Sequence, residues 1–398
     1  MASAWRRSAR RFVRHLSRGH RRPPGALVAT AALAAALFGP AVHAAAIQPA
    51  ATASWRIVPT PGLIPDNALS AAAVVSKQLA WAVGTEGYAS NGSNPGTPLI
   101  LRWNGTRWSR ARLPGSWQGG LAAVAASSAT DAWALGTNAS ALLIAHLLHW
   151  NGHGWRSSAV PDFGGSINAD INLAAAPGGR AWISTDNGGK STVLFSWNGT
   201  SWKPQSYPCP HWGCGLIKIT ARTGQDAWAV GNYVNSAGSG GPLALHWTGS
   251  SWTTTPVPFI KDGYLTGVFG ISSTNAWAVG AVFGSAAMLL YHWDGTAWHK
   301  MQTPAGLTQP PLGESTGIAG DSAGHLWIYD FGMAESNPAS YLHFDGHRWS
   351  TVRDAPVAGQ VRAIVRMVAA VPGTQTVWSV GVGLTATPDG RARIERYG

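Results

Sequence analysis

Charge is the first thing this chain lacks: Asp, Glu, Lys and Arg together make up only 12% of its 398 residues. No arginine cluster suited to gripping a carboxylate occurs in it, no histidine-rich copper set and no glycine-rich phosphate loop. Without those groupings the chain offers no cofactor site and no metal site, and none is expected. Cysteine is nearly absent, with Cys209 and Cys214 the only two. A metal centre built from them and His211 in "PCPHWGCG" would have too few ligands at an unsuitable spacing. The candidate membrane run, Ala26 to Phe38, is 13 residues long and short of a bilayer.

The net charge of +12 is misleading as a sign of nucleic-acid binding. Residues 1–44 hold eight arginines and no acid, so the remainder has 29 − 8 = 21 basic against 17 acidic residues, or +4. Nucleic acid is therefore not an expected partner. The basic stretch, the apolar core and the small-residue stop "VHAAA" read as an export signal over residues 1–44, with a short linker over 45–52. An uncleaved anchor is the alternative. No cysteine stands at the cleavage point, which argues against a lipoprotein. Arg10-Arg11 leaves a twin-arginine route open beside the general secretory one. The expected location is secreted, with no membrane contact after cleavage, and the expected state is a monomer. In an oxidising compartment Cys209 and Cys214 are expected to form a disulfide that stiffens the loop presenting His211 and Trp212.

What the chain has in abundance is tryptophan, 22 residues against 8 Tyr and 9 Phe, with 49 Gly and 25 Pro. Two motifs alternate. One reads "LAWAVG", "DAWALG", "RAWIST", "DAWAVG", "NAWAVG", "HLWIYD" and "TVWSVG", centred on Trp81, Trp133, Trp182, Trp228, Trp277, Trp327 and Trp378. The steps between them are 52, 49, 46, 49, 50 and 51 residues, a period of propeller blades. The other runs an apolar strand to an aromatic residue, turns at or beside a glycine, and continues from Trp to Pro, as in "LRWNGTRWSRARLP" and "LHWTGSSWTTTPVP". Four short apolar runs per unit predict an antiparallel four-stranded blade. The Asn-Gly and Asp-Gly steps predict two-residue hairpins, with Leu101 opposite Trp108 and the two tryptophans of each hairpin diagonal on one face. First strands such as "LAAVAA" and "LTGVFG" carry the small residues that a crowded axis requires.

The ends are incomplete in complementary ways. "SWRIVPTP" near residue 55 is a fourth strand without a third, and "RIERYG" at the C-terminus is a third without a fourth. Pairing them predicts an all-β, seven-bladed β-propeller over residues 53–398, closed by Trp55 beside Ile394 to Tyr397. Closure removes an open sheet edge.

These motifs resemble the secreted bacterial propeller repeats of the "WAVG…HWNGTSW" type. More distantly they are similar to kelch, galactose-oxidase and Asp-box (sialidase-like) propellers. The resemblance spans residues 53–398 and implies a fold rather than an activity. "STDNGGKS" at Ser184 to Ser191 is similar to an Asp-box but has Lys190 and Ser191 at its last two positions. Asp-boxes are structural turns, so no glycosidase activity follows.

The repeat explains 19 tryptophans and Trp5 lies in the leader, which leaves Trp117 and Trp212. Both fall between the fourth strand of one blade and the first of the next, on what we term the upper face. Phe163, Phe259 and Tyr264 share that class of connection. Tyr88, Tyr233, Phe283 and Phe331 lie in the other loops of that face. Aromatic side chains around a propeller mouth suit stacking on sugar rings or gripping a protein. The expected role is a non-enzymatic binding module for an extracellular carbohydrate such as a polysaccharide, through Trp117, Trp212, Phe163, Tyr233, Phe259 and Tyr264. The alternatives are a cell-surface protein–protein scaffold and a glycoside hydrolase or lyase using paired upper-face acids, drawn from Asp66, Glu86, Asp162, Asp170, Asp186, Asp262, Glu314, Asp330, Glu335 and Asp354. His149, His246, His292 and His343 precede the third-strand aromatic in four blades and read as solvated blade-surface positions. The sequons at Asn91, Asn104, Asn138 and Asn198 mostly coincide with turns.

Overall fold

The described residues form seven antiparallel sheets of four strands, six of them in chain order. The computed structural model describes residues 53–398 apart from 90–91, 138–143, 164–170, 186–190, 210–211, 286, 303–316, 322–323, 330–339 and 387–388. Blade one, for example, runs Ala68–Ser76, Leu79–Tyr88, Pro95–Trp103 and Trp108–Arg110. Blade seven breaks chain order as anticipated. Gln360–Ala370, Val377–Thr385 and Gly390–Tyr397 are completed by Trp55–Ile57 from the other end of the described chain. The register is Trp55 opposite Tyr397, Arg56 opposite Arg396 and Ile57 opposite Glu395.

The core lies between the blades and is built from aromatic boxes. The second-strand Trp of each blade is enclosed by the third- and fourth-strand aromatics of the next. Trp81 meets Trp150 and Trp155 at 4.9 and 5.1 Å between ring centroids. Trp133 meets Trp197 and Trp202, and Trp228 meets Trp293 and Trp298. The ring is completed at Trp378, boxed by Trp103 and Trp108 of blade one, and at Trp327, boxed by Tyr397 and the N-terminal Trp55. Such edge-to-face pairs add about 0.5–1.5 kcal/mol each beyond area burial. Four of the third-strand tryptophans, Trp103, Trp150, Trp247 and Trp293, also donate an indole N–H to a carbonyl of the turn between the first two strands, as Trp103 does to Lys77 at 2.9 Å and Trp247 to Gly224 at 3.0 Å.

The glycine of "WAVG" has a specific cause. The inner strand of several blades bulges by one residue opposite it, for example between Leu69 and Ala71. A Cβ added at Gly84, Gly231, Gly280 or Gly381 would stand 2.0 Å from a carbonyl oxygen of that inner strand. No side chain fits there.

Two expectations need correction. The hairpins between third and fourth strands have four-residue loops, so the aromatics face each other directly: Trp103 is opposite Trp108, and Leu101 is opposite Arg110. Only the glycine adopts a left-handed backbone, with φ of +98° at Gly105. Asn104 keeps ordinary φ because its side-chain oxygen accepts from the backbone N–H groups of Thr106 and Arg107 at 3.0 and 2.9 Å. This side-chain turn supplies what a two-residue turn would have needed from backbone strain. Asn151, Asn198, Asp294 and Asp345 repeat it.

The four histidines are not simply solvated. Each lies directly opposite the blade Trp in register and packs against it: His149 on Trp133 and His246 on Trp228 at 4.0 Å, His292 on Trp277 at 4.4 Å and His343 on Trp327 at 4.1 Å. In three of these blades Nε2 meets the first residue of the second strand, at Asp131, Asp226 or Asn275. Two other blades place an arginine there, Arg102 over Trp81 and Arg396 over Trp378. The flat cationic or imidazole group covers an aromatic face that would otherwise meet water.

Candidate binding face and central channel

The upper face is built from loops attached to short, well-buried strands. Among the described residues, three aromatic side chains are exposed: Trp212 at 53%, Phe259 at 61% and Phe283 at 70%. All three belong to blades four and five. Trp212 immediately precedes Gly213–Thr223, the inner strand of blade four. Phe259 lies in the connection from blade four to blade five, and Phe283 follows Asn275–Val282, the second strand of blade five.

Tyr233 joins this group. It lies in Asp226–Val234, directly opposite Cys214 on one side and Gly241 on the other. Gly241 has no side chain, and both Tyr233 and Phe259 lean over it. A Cβ there would stand 2.9 Å from the Tyr233 hydroxyl and 3.0 Å from the Phe259 ring. The backbone tightens the same corner, where Asp262 N–H donates to the Gly240 carbonyl at 2.9 Å and Phe283 N–H to the Asp262 carbonyl at 2.8 Å. Asp262 itself adopts φ of +57°. Tyr264 stands two residues further on, half-buried at the start of blade five, and burial raises its phenol pKa.

The disulfide forms between Cys209 and Cys214, with Cα atoms 5.9 Å apart. Cys214 is the buried end, within the inner strand of blade four, and Trp212 sits inside the closed loop. Neither sulfur is left as a thiolate for a metal. Beside it, the Tyr207 hydroxyl donates to the carbonyls of Thr192 and Cys214 at 2.7 and 3.1 Å. Burial pushes the Tyr207 pKa up to about 12, so the phenol remains a donor. His211 lies outside the described residues.

Two further aromatics are placed elsewhere. Phe163 is 6% exposed and packs edge-on against Phe195 at 5.2 Å, inside the interface of blades two and three. It presents almost no surface to a ligand and leaves the candidate set. Trp117 is half-buried against the blade one–two core, with His146 stacked on its ring at 4.1 Å. Burial lowers the His146 pKa, which keeps that imidazole neutral against the indole. Tyr88 is half-buried, with its hydroxyl beside Gly390 of blade seven. Phe331 lies outside the described residues.

The acids divide similarly. Glu86 is buried and held by Arg110 and by the Ile64 N–H at 3.0 Å. Although burial acts to raise its pKa, the hydrogen bonds and charge of Arg110 outweigh it and the carboxyl is lowered. Arg110 also donates to the Gly62 carbonyl, so the pair fixes the connection into blade one. Asp354 is buried against Arg393 at 2.8 Å. Both acids are therefore structural. Asp66 occupies a turn with φ of +57° that matches Asp262, and Asp162 is exposed. Asp170, Asp186, Glu314, Asp330 and Glu335, with the centre of the Asp-box-like segment, lie outside the described residues.

The first strands surround a central channel with a cavity of about 820 Å³, lined from all seven blades. Its wall includes Lys218, which sequence reasoning missed. The signal was available, since "LIKIT" places a lysine in an inner strand where four other repeats read Ala or Gly.

No protein-family model matches the chain, and no curated protein sequence does. The chain is similar to several solved structures. YCF48 from Cyanidioschyzon merolae is 16% identical, with 86% of this chain and 98% of that one covered and a TM-score of 0.50. The six-bladed fucose-recognising lectin of Aleuria aurantia is 13% identical over 74% of this chain and 98% of its own, with a TM-score of 0.48. A Trypanosoma rangeli sialidase is 9% identical over 73% of this chain and 55% of its own, with a TM-score of 0.46. At these identities the likeness is one of fold.

Proposed function

We propose that the chain is an exported binding module that takes extracellular carbohydrate on the upper edge of blades four and five. One observation carries this reading: Trp212, Phe259 and Phe283, the three exposed aromatics among the described residues, gather on two adjacent blades with Tyr233 beside them. Scattered exposed apolar residues are ordinary on any surface, but grouped aromatic rings on braced loops are a contact surface. Aromatic faces suit the apolar face of a pyranose ring, and the nearby backbone and hydroxyl groups suit its edge. Tyr264 completes the proposed set at its rim, and Trp117 has a packing role. The leader over residues 1–44 fits a ligand met outside the cell.

The test is a pull-down of the purified chain with insoluble polysaccharides, with reducing-sugar release measured in the same tubes. Wild type is expected to be retained without releasing sugar. Trp212→Ala/Phe259→Ala/Phe283→Ala is expected to lose retention, and Trp117→Ala to keep it. Sugar release would replace this reading with a hydrolase. Absence of retention on every glycan would favour the protein-scaffold alternative.

A further inference from the structure

The inner strands repeat one position around the channel. It is the residue paired with the second position after the blade tryptophan. In four blades it is Ala71, Ala123, Gly267 or Gly317, and in blade seven it is Met367. In the two remaining blades, three and four, it is polar: Asn172 pairs with Ser184, and Lys218 pairs with Val230. These inner strands are neighbours, so a lysine and an asparagine stand side by side where the rest of the ring holds small or apolar groups.

Both are donors without acceptors. Asn172 is 7% exposed, and its side-chain nitrogen is buried with no hydrogen-bond partner. An amide N–H in that condition is destabilising unless something accepts from it. Lys218 forms no ion pair or hydrogen bond within the described protein, and burial lowers its pKa. Its side chain is half-buried on the channel wall, where a cation without a counter-charge is less well stabilised than in open water. The channel does not supply the partner. Of the described residues lining it, Asp321 is the one carboxylate, against Lys218, Arg222 and Arg366. Asp321 is itself engaged by His325, with Nδ1 at 2.8 Å.

We propose that the central channel binds a small carboxylate-bearing molecule, with one carboxylate oxygen taken by the Lys218 ammonium and the other by the Asn172 amide. One point charge and one neutral donor match a monoanion with two oxygens, and the hydrogen bond to the ammonium is charge-assisted. Gly267 and Gly317, at the equivalent positions of blades five and six, line the cavity and leave space for the rest of the molecule, and a volume of about 820 Å³ is of the size that holds small ligands. The proposal does not depend on the aromatic edge.

The test uses the full chain with its lysines reductively 13C-methylated and followed by NMR. The Lys218 signal is the one missing from Lys218→Met. Acetate, benzoate and D-galacturonate are titrated, with D-galactose and inorganic phosphate as controls. At least one carboxylate is expected to move the Lys218 signal saturably and to raise the melting temperature, and galactose to do neither. Lys218→Met is expected to abolish the thermal shift, and Asn172→Ala to weaken the affinity about tenfold, the loss of one charged-group hydrogen bond. Trp212→Ala/Phe259→Ala/Phe283→Ala keeps carboxylate binding under this proposal, so failure of the aromatic edge and failure of the channel are separable. No response to any carboxylate would overturn the proposal, as would an unchanged thermal shift in Lys218→Met. Phosphate binding as tightly as the best carboxylate would overturn the assignment of ligand class.

Discussion

The interface between blades four and five and the one between blades six and seven hold the same aromatic box but differ beside it. Between four and five Trp228 belongs to an apolar cluster with Val230, Leu265, Val268 and Leu289. The third strand of blade five places Tyr291 two residues before its last aromatic, where blades one, two and four have Leu101, Leu148 and Leu245. Blade seven has Glu395 at that position, 1% exposed. Its carboxylate accepts from the Tyr341 hydroxyl at 2.8 Å, from the Ala355 N–H at 3.1 Å and from Arg393. Arg393 continues to Asp354 and Gln360, and the Tyr341 oxygen accepts from the Ser379 hydroxyl at 2.8 Å. One interface is closed by packing with neutral hydrogen bonds, such as that from the Trp298 indole N–H to the Thr255 hydroxyl oxygen at 3.0 Å, the other by packing and a buried ionic network.

The difference follows chain connectivity. In blade five a four-residue loop hands the third strand to the fourth. In blade seven the two strands are joined only through the whole propeller, with Arg56 meeting the Gly398 carbonyl from 342 positions away. Closing a loop of that length costs on the order of 4 kcal/mol more than closing a hairpin. Packing of similar aromatic residues can slip in register, whereas a network whose donors and acceptors match in one arrangement cannot do so without loss.

Breaking the closing strand should have the largest effect. Trp55 stacks on Tyr341 at 4.4 Å and completes the box around Trp327. Trp55→Ala is expected to cost about 3–5 kcal/mol, read from urea denaturation. It should also expose a sheet edge, seen as concentration-dependent association in sedimentation. Trp298→Ala at blade five should cost a similar amount without that association.

Glu395→Leu gives blade seven the residue of blades one, two and four but strands part of the network. About 3–5 kcal/mol should be lost. Arg393→Leu/Glu395→Leu should be less destabilised than the single change in the same urea titration. A double variant worse than the single would show that the ions themselves hold the blade.

Removing the disulfide tests the aromatic edge. Cys209→Ser/Cys214→Ser closes no loop and should lose about 2 kcal/mol at most in thermal unfolding. A larger loss of polysaccharide retention would show that the brace positions Trp212.

The smallest effect is pH dependence. Burial, and then the charge of His325, lower the His343 pKa below 6.5, although Asp345 and Asp321 act in the opposite direction. The unfolded chain therefore takes up the proton first, and this contribution falls as pH drops below 6.5. In blade four, burial acts to raise the Asp226 pKa, but His246 and Arg222 outweigh it and hold it below 3.8. That contribution is present above 3.8 and is lost as pH falls through the folded value. His343→Gln should flatten the fall in melting temperature just below pH 6.5, and Asp226→Asn only the fall below about pH 4.

The blades, their number and the closing pair were legible because a strand–turn–strand repeat and two half-repeats leave few ways to pair. The hairpin register was misread because the Asn104 side chain can build a turn that its dipeptide signal does not announce. The histidines opposite the blade tryptophans looked like surface residues because their stacking partner lies on the neighbouring strand. Among the aromatics, periodicity separated Trp117 and Trp212 from the repeat but could not divide them. One is covered by His146 and the other is open, and a cross-strand contact decides which.

The sequence by itself determined how many blades there are and how the ring shuts, since both follow from periodic local pattern. Only the tertiary structure decided which aromatics face solvent, that Glu395 and Arg393 lock the last blade, and that Lys218 stands beside Asn172 in the channel. Each of those depends on residues far apart in sequence, and burial and pairing are properties of the neighbours that folding brings in.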